Sequence, residues 1–275
     1  MRRINYATLI MAMLVLTQCS RKPPFYMDPG YFGYDQSFLG EHVKDLVLLT
    51  SADSNQQLLV SPALQSRVFT SSAEGRRGRS FGWVNYDLLK SGEVSAQFNP
   101  YGGEDRFWLG PEGGPYALYF APGQPQTFDN WVVPGPFDRD PFNIVEQDPT
   151  YIHCRSGFTV PNYAGTPLSV QVDRSVRLLD QAGVEHALNM EMPNGVRWVG
   201  YSSENAVQNT GETAWTAEQG LPSVWILDMF PPAENGAVII PFRAGDESEY
   251  GMVVRTNYFG DIPDDRLQVN EDYLL

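Results

Sequence analysis

The stretch Leu168–Asp180, reading LSVQVDRSVRLLD, places Val170, Val172 and Val176 at alternate positions with polar residues between them. A period of two is the mark of a strand with one buried face. Gln181-Ala182-Gly183 reads as the turn that ends it. Val196–Ser202 is its candidate partner strand, and Ala206–Asn209 is a further strand closed by Thr210-Gly211. Toward the amino terminus, the apolar runs Val43–Thr50 and Gln57–Ser61 flank Ser51-Ala52-Asp53-Ser54-Asn55, whose turn chemistry predicts a hairpin. Arg67–Ser71, Phe81–Asn85 and Tyr116–Phe120 carry β-branched or aromatic residues and read as strands. Ser223–Phe230 and Ala237–Phe242 read as two buried strands, and Met252–Thr256 as a weaker one. A short helix is predicted over Asp35–Glu41. With 25 Gly and 21 Pro punctuating the chain, and no sustained 3.6 period, the fold class is all-β.

The length of 275 residues and a hydrophobic content of 42% support a real core and exclude wholesale disorder. No repeat, low-complexity tract or linker follows residue 30, so a single domain is expected over 35–275. The balance of 33 acidic against 19 basic residues gives a net charge of −14. That surface repels phosphate backbones, which argues against nucleic acid as a partner and favours neutral glycans or metal-bound ligands. Glu74–Arg79, EGRRGR, is a basic exception, either a solvated turn or a contact for an acidic sugar or phosphate.

The amino terminus reads as a targeting signal. Arg2 and Arg3 precede an apolar run, Tyr6–Leu16, too short to span a membrane permanently. Leu16-Thr17-Gln18-Cys19 resembles a lipobox, in which cleavage precedes Cys19 and the thiol takes a lipid; Gln18 is an uncommon residue at that place. Residues 1–18 are therefore expected to be a signal peptide and 19–34 an anchored tether. The expected location is the cell envelope, at the outer membrane, facing periplasm or surface. With Cys19 lipidated, Cys154 has no disulfide partner and is expected to be a small buried residue.

Several chemistries lack their motifs. The three histidines, His42, His153 and His186, have no metal-ligand spacing, and HExxH and CxxC are absent. Asp261, Asp264 and Asp265 lie close together but lack the order of a calcium loop. There is no phosphate loop, dinucleotide fingerprint or GxSxG elbow, so no metal, no cofactor and no serine triad are expected. Carboxylates remain as the abundant acid and base groups.

They concentrate in Asn99–Phe120, NPYGGEDRFWLGPEGGPYALYF. Two Gly-Gly pairs bracket Glu104, Asp105, Arg106, Trp108 and Glu112. Glycine pairs suit places where the backbone turns tightly or another group approaches closely. A flat aromatic, carboxylates and an Arg fork are the equipment of a sugar site. Glu104, Asp105 and Glu112 are the catalytic candidates, with Arg106 and Trp108 as binding residues. A turn in which Arg106 neutralises its acidic neighbours is the competing reading. A second cluster at Tyr201–Gly211 offers Asn205 and Asn209 as ligand-facing amides, or as the caps of a strand end. Trp83, Trp108 and Trp131 suit sugar platforms, whereas Trp198, Trp215 and Trp225 suit a core.

The Asn99–Phe120 segment, with SFGWVN before it and WILDMF and YFGDIPDDRL after it, resembles an uncharacterised family of bacterial secreted lipoproteins. The resemblance covers residues 35–269. It implies a galactose-mutarotase-like β-supersandwich and, by analogy of fold, a carbohydrate ligand. Mutarotases of that class work with a His acid and a Glu base, but their His segments have no counterpart here. Chains of the resembled family look longer, so the sandwich is expected to be incomplete at the carboxyl end. The sequence sets no oligomeric state.

Overall fold

The predicted hairpin forms. In the computed structural model β1 (Val47–Thr50) pairs antiparallel with β2 (Gln57–Ser61), which pairs in turn with β3 (Arg67–Ser72). The structure describes residues 25–275 except 244, 257 and 259. The expected signal peptide 1–18 and Cys19 lie outside the described residues. Every residue of β2 is buried because both faces of this sheet are covered. Leu59 and Phe69 pack with Phe32, Phe38 and Leu39 of α1 (Phe32–His42), the predicted helix in slightly longer form. Leu89 of α2 (Tyr86–Ser91) joins them, and Asn85 caps α2 by accepting from the Leu88 amide at 3.2 Å.

Leu58, Val60 and Val68 point the other way, into the larger core. That core also takes Phe107 and Leu109 of β4 (Arg106–Gly110) and Phe137 of α3 (Gly135–Asp138). Its far wall is an antiparallel sheet of β5 (Asn143–Asp148), β6 (Tyr151–Pro161), β7 (Pro167–Leu178) and, beyond helix α4 (Gln181–Leu188), β8 (Tyr201–Asn209). Val170, Val172, Val176 and Leu178 of β7 face inward with Ile152 and Cys154 of β6, so the alternation of LSVQVDRSVRLLD is realised. A last strand of this unit, β9 (Ser223–Leu227), pairs only with β4.

The described chain divides into two compact units, the first ending at Met229 and the second spanning Phe230–Leu275. In the second, β10 (Ile240–Pro241) pairs with β11 (Tyr273–Leu274), and Asp246 caps the single turn α5 (Glu247–Tyr250). The protein is predominantly β, in antiparallel sheets with few short helices. Among the described residues no helix is long and apolar enough to cross a membrane.

Several segments differ from the sequence reading. Phe81–Asn85 is not a strand: the Phe81 amide bonds Ser71 O, Gly82 crosses the backbone of Phe69 and Thr70, and only Val84 makes a bridge, to Gly102. Tyr116–Phe120 is irregular but buried, its backbone tied to Pro111 and Val132. Arg106–Gly110, in the supposed loop, is a strand because β9 supplies its partner across the sequence. Gln181-Ala182-Gly183 begins α4 instead of a turn, since the Asp180 carboxylate accepts from the Gly183 amide at 2.8 Å. The two strands expected over Val196–Asn209 are one, Tyr201–Asn209, held in continuous register by β7. Ala237–Phe242 is not buried: Val238 and Ile239 are exposed.

The two Gly-Gly pairs differ sharply. Gly102 has φ of +96°, and an added Cβ would sit 2.2 Å from Trp83 O. At Gly113 the nearest atom to such a Cβ is 3.7 Å away. Gly102→Ala is expected to cost about 2 kcal/mol or more, and Gly113→Ala to stay within about 0.5 kcal/mol, in urea unfolding.

Candidate functional site

Gly102 and Gly103, both at positive φ, turn the chain so that Glu104 and Asp105 run along β3 before β4 begins. The Glu104 amide donates to Val68 O at 2.9 Å, and the Val68 amide to Asp105 O at 3.1 Å. This pins two consecutive acidic residues in the interior. Glu104 is 1% exposed, and the Ser71 amide donates to its Oε2 at 3.0 Å. Burial pushes the Glu104 carboxyl up to about 7; the Asp105 charge adds to the rise, while Ser71 and the Tyr201 hydroxyl oppose it.

Asp105 takes a different course. Its Oδ1 accepts a very short bond from Nη2 of Arg174, a fully buried arginine of β7. The same guanidinium donates through Nη1 to Asn205 Oδ1 at 2.5 Å and through Nε to Ser66 O at 3.1 Å. Arg174 occupies the same face as Val172 and Val176, and Asn205 is its register partner on β8. Extending the β4–β9 register by one residue sets Asp105 opposite Asp228. Like charges opposed across a ladder repel. Partial burial, reinforced by the Asp105 charge, pushes the Asp228 carboxyl up to about 6, and Arg174 opposes the shift. Asp228 is the exposed member of the group. Tyr201, at the start of β8, feels Glu104, Asp105 and Asp228, and its hydroxyl is held well above the usual phenol range, first by burial.

A second polar group lies along the same strand. Arg106 is fully buried, with its guanidinium carbon 4.2 Å from the Trp108 ring centroid and 4.8 Å from that of Phe98. Its Nη2 is 3.5 Å from Oδ1 of buried Asp138, whose oxygens also accept from the Asn99 amide and side chain. Burial drives the Arg106 guanidinium well below its usual range, and Arg67 adds to the effect. Arg67 is buried too; its Nη1 donates to Gly102 O at 2.8 Å, and burial lowers it to about 10.

The candidates from sequence therefore separate. Asp105 and Asn205 meet at Arg174, with Glu104 beside Asp105 and Tyr201. Arg106 and Trp108 belong to the aromatic group with Phe98, Trp131 and Trp225. Glu112 stands half-buried beyond β4, its carboxyl raised by burial. Its charge reaches Tyr119. Asn209 is spent on a turn, accepting from the Gly211 amide and donating to Thr213 O. Of the other expected platforms, Trp83 is partly exposed and Trp131 half-buried, whereas Trp108 is inside. Cys154 is buried and free, its thiol raised by burial. His153 lies on the outer face of β6, 2.7 Å from Asp173, which also receives Arg155. An open cleft of about 630 Å³ lined by Gln36, His42, Lys44 and Leu59 shares no residue with either group. Among the described residues no His, Cys, Asp or Glu cluster is arranged to hold a metal ion.

Arg174, Asp228, Arg67 and Asp138 escaped the sequence reading, and Tyr201 entered it only as the first residue of the Tyr201–Gly211 cluster. Arg174 left a signal, because it falls in phase with Val170, Val172 and Val176 on an otherwise apolar face. Asp228 left none: SVWILDMF reads as a core strand that happens to end in an acid.

The chain belongs to the family described as Family of unknown function (DUF6786), which matches residues 30–275. No curated protein and no solved structure matches it.

Glu104 carries a testable sign. Its folded value of about 7 lies above the ordinary 4.5, so the folded state holds the proton more tightly than the unfolded chain. The stability this contributes is fully present below about pH 4.5 and is lost as the pH rises through about 7. Urea unfolding at pH 5, 6, 7 and 8 should show the unmodified chain losing stability relative to Glu104→Gln across that window.

Proposed function

We propose that this protein is an envelope lipoprotein that binds or processes carbohydrate on a mutarotase-like β-supersandwich. The observation that carries the reading is the gathering of Glu104, Asp228 and Tyr201 around Asp105, itself bonded to Arg174, at one end of β4 and β9. Two of these carboxyls have values near neutrality, at about 7 and about 6, so one site can hold an acid and a base at once. Asp228 is the member open to a ligand. Glu104 stores a proton behind it, next to the Tyr201 hydroxyl, and Asp105, locked to Arg174, keeps the local charge in place. That arrangement suits proton transfer to and from sugar hydroxyls, the step shared by ring opening and epimerisation. The lipobox-like Leu16-Thr17-Gln18-Cys19 supports the anchor.

A non-catalytic glycan-binding or structural role is the second reading. Glu104 is 1% exposed and Arg174 spends its donors internally, as buried ion networks do.

The rate at which the α and β anomers of a panel of hexoses and hexuronates interconvert, followed by NMR, separates the two. On the catalytic reading, Asp228→Asn and Glu104→Gln each lower turnover about 10²- to 10⁴-fold while a sugar still raises the melting temperature. Binding without any turnover by the unmodified protein overturns catalysis and leaves the binding reading. Neither binding nor turnover leaves the structural one. For the anchor, Cys19→Ala should move the protein from the membrane fraction to the soluble envelope fraction.

A further inference from the structure

Arg106 has a buried carboxylate and two aromatic faces beside it, but its N–H groups are left without hydrogen bonds. Arg174 donates to Asp105, Asn205 and Ser66, and Arg67 to Gly102. By contrast Nε, Nη1 and Nη2 of Arg106 make no hydrogen bond, and neither does the stacked Trp108 indole Nε1. The two side chains are 0% and 2% exposed. A buried donor left unmade costs about 1–3 kcal/mol, and more when it is charged. Asp138 supplies charge at 3.5 Å but gives its hydrogen-bonding to Asn99.

All the unspent groups are donors, and one is a cation. Their complement is an acceptor-rich anion, and the guanidinium fork matches a carboxylate in particular. A run of aromatic rings leads from the surface toward Arg106. Phe128 is 75% exposed and stacks on Trp131 with 13° between ring planes; Trp131 stacks on Tyr119 at 7° and meets Trp108 at a 6.2 Å centroid distance. Flat apolar faces of this kind receive sugar rings. Glu112 stands near Tyr119, and its half-buried carboxyl accepts hydroxyl donors. The Trp131 indole N–H makes no hydrogen bond of normal geometry, although Trp131 works against the rise of the Glu112 carboxyl, which places the two close together.

We propose that Arg106 is the carboxylate-binding residue of a subsite for a hexuronic acid, with the ring on Trp131 and its hydroxyls toward Glu112. This rests on the carbohydrate reading and narrows it to acidic sugars.

The test is tryptophan fluorescence titration of the full chain. The ligands are galacturonate and glucuronate, the methyl ester of each, and galactose and glucose. The esters keep the ring and remove the charge. The free acids should bind about 10- to 100-fold more tightly than their esters, the value of a charge-assisted pair. Arg106→Gln should bring that ratio to about one, and Arg106→Lys should restore part of it. Equal affinity for acid and ester would overturn the subsite while leaving carbohydrate binding intact. No binding of any of the six would overturn both. The acid-to-ester ratio on the unmodified chain decides the proposal even if neither variant folds.

Discussion

A guanidinium taken out of water must find a carboxylate or a set of carbonyls, or folding stalls on its desolvation. The Arg174–Asp105 pair meets that demand at the centre of the first unit. Arg174 rises from the valine face of β7, and Asp105 lies between the Gly102–Gly103 turn and β4. Removing either partner would leave a buried charge unpaired, at a typical cost of about 3–5 kcal/mol. The pair fixes more than itself. It sets the position of β4 against β7, holds Asn205 on β8, and places the Asp105 charge where it adds to the rise that burial gives Glu104 and Asp228. The acidic group is therefore a consequence of how the two sheets are tied.

Two polar groups of different character follow each other along Glu104–Arg106, where the chain enters β4. At its start, donors and acceptors are matched: Ser71 with Glu104, Arg174 with Asp105. One residue further, Arg106 sits among aromatic rings with its donors unspent. Arg106 and Trp108 share one face of β4 and lie against each other, while Phe107, Trp108 and Leu109 all join the larger core. A matched group near neutral pH suits proton transfer. An unmatched cation in an aromatic setting suits recognition.

Burial reorganises the meaning of residues that looked alike in the chain. Asn205 and Asn209 lie four apart on β8, yet one holds Arg174 and the other closes a turn with Gly211 and Thr213. Glu104 and Glu112 flank the same strand, yet one is sealed beneath β3 and the other stands half-buried at its end. Gly102 and Gly113 open similar pairs, but only the first has another backbone pressed against it. In each case sequence distance is short and the deciding contact is long-range.

The sequence by itself determined the β class, the hairpin of β1 and β2, the long strand β7 and its inward valines, because period and turn chemistry are local. It also singled out the segment that holds Glu104, Asp105, Arg106 and Trp108, through its density of acid, Arg, Trp and paired Gly. Only the tertiary structure decided that Arg106–Gly110 is a strand, since β9 supplies its hydrogen bonds from more than a hundred residues away. It likewise brought Asp228, Tyr201 and Arg174 to Asp105, from three strands that no local pattern relates. Carboxyl values near neutrality belong to that second kind of information: they arise from desolvation and from charges across the fold, neither of which a single strand contains.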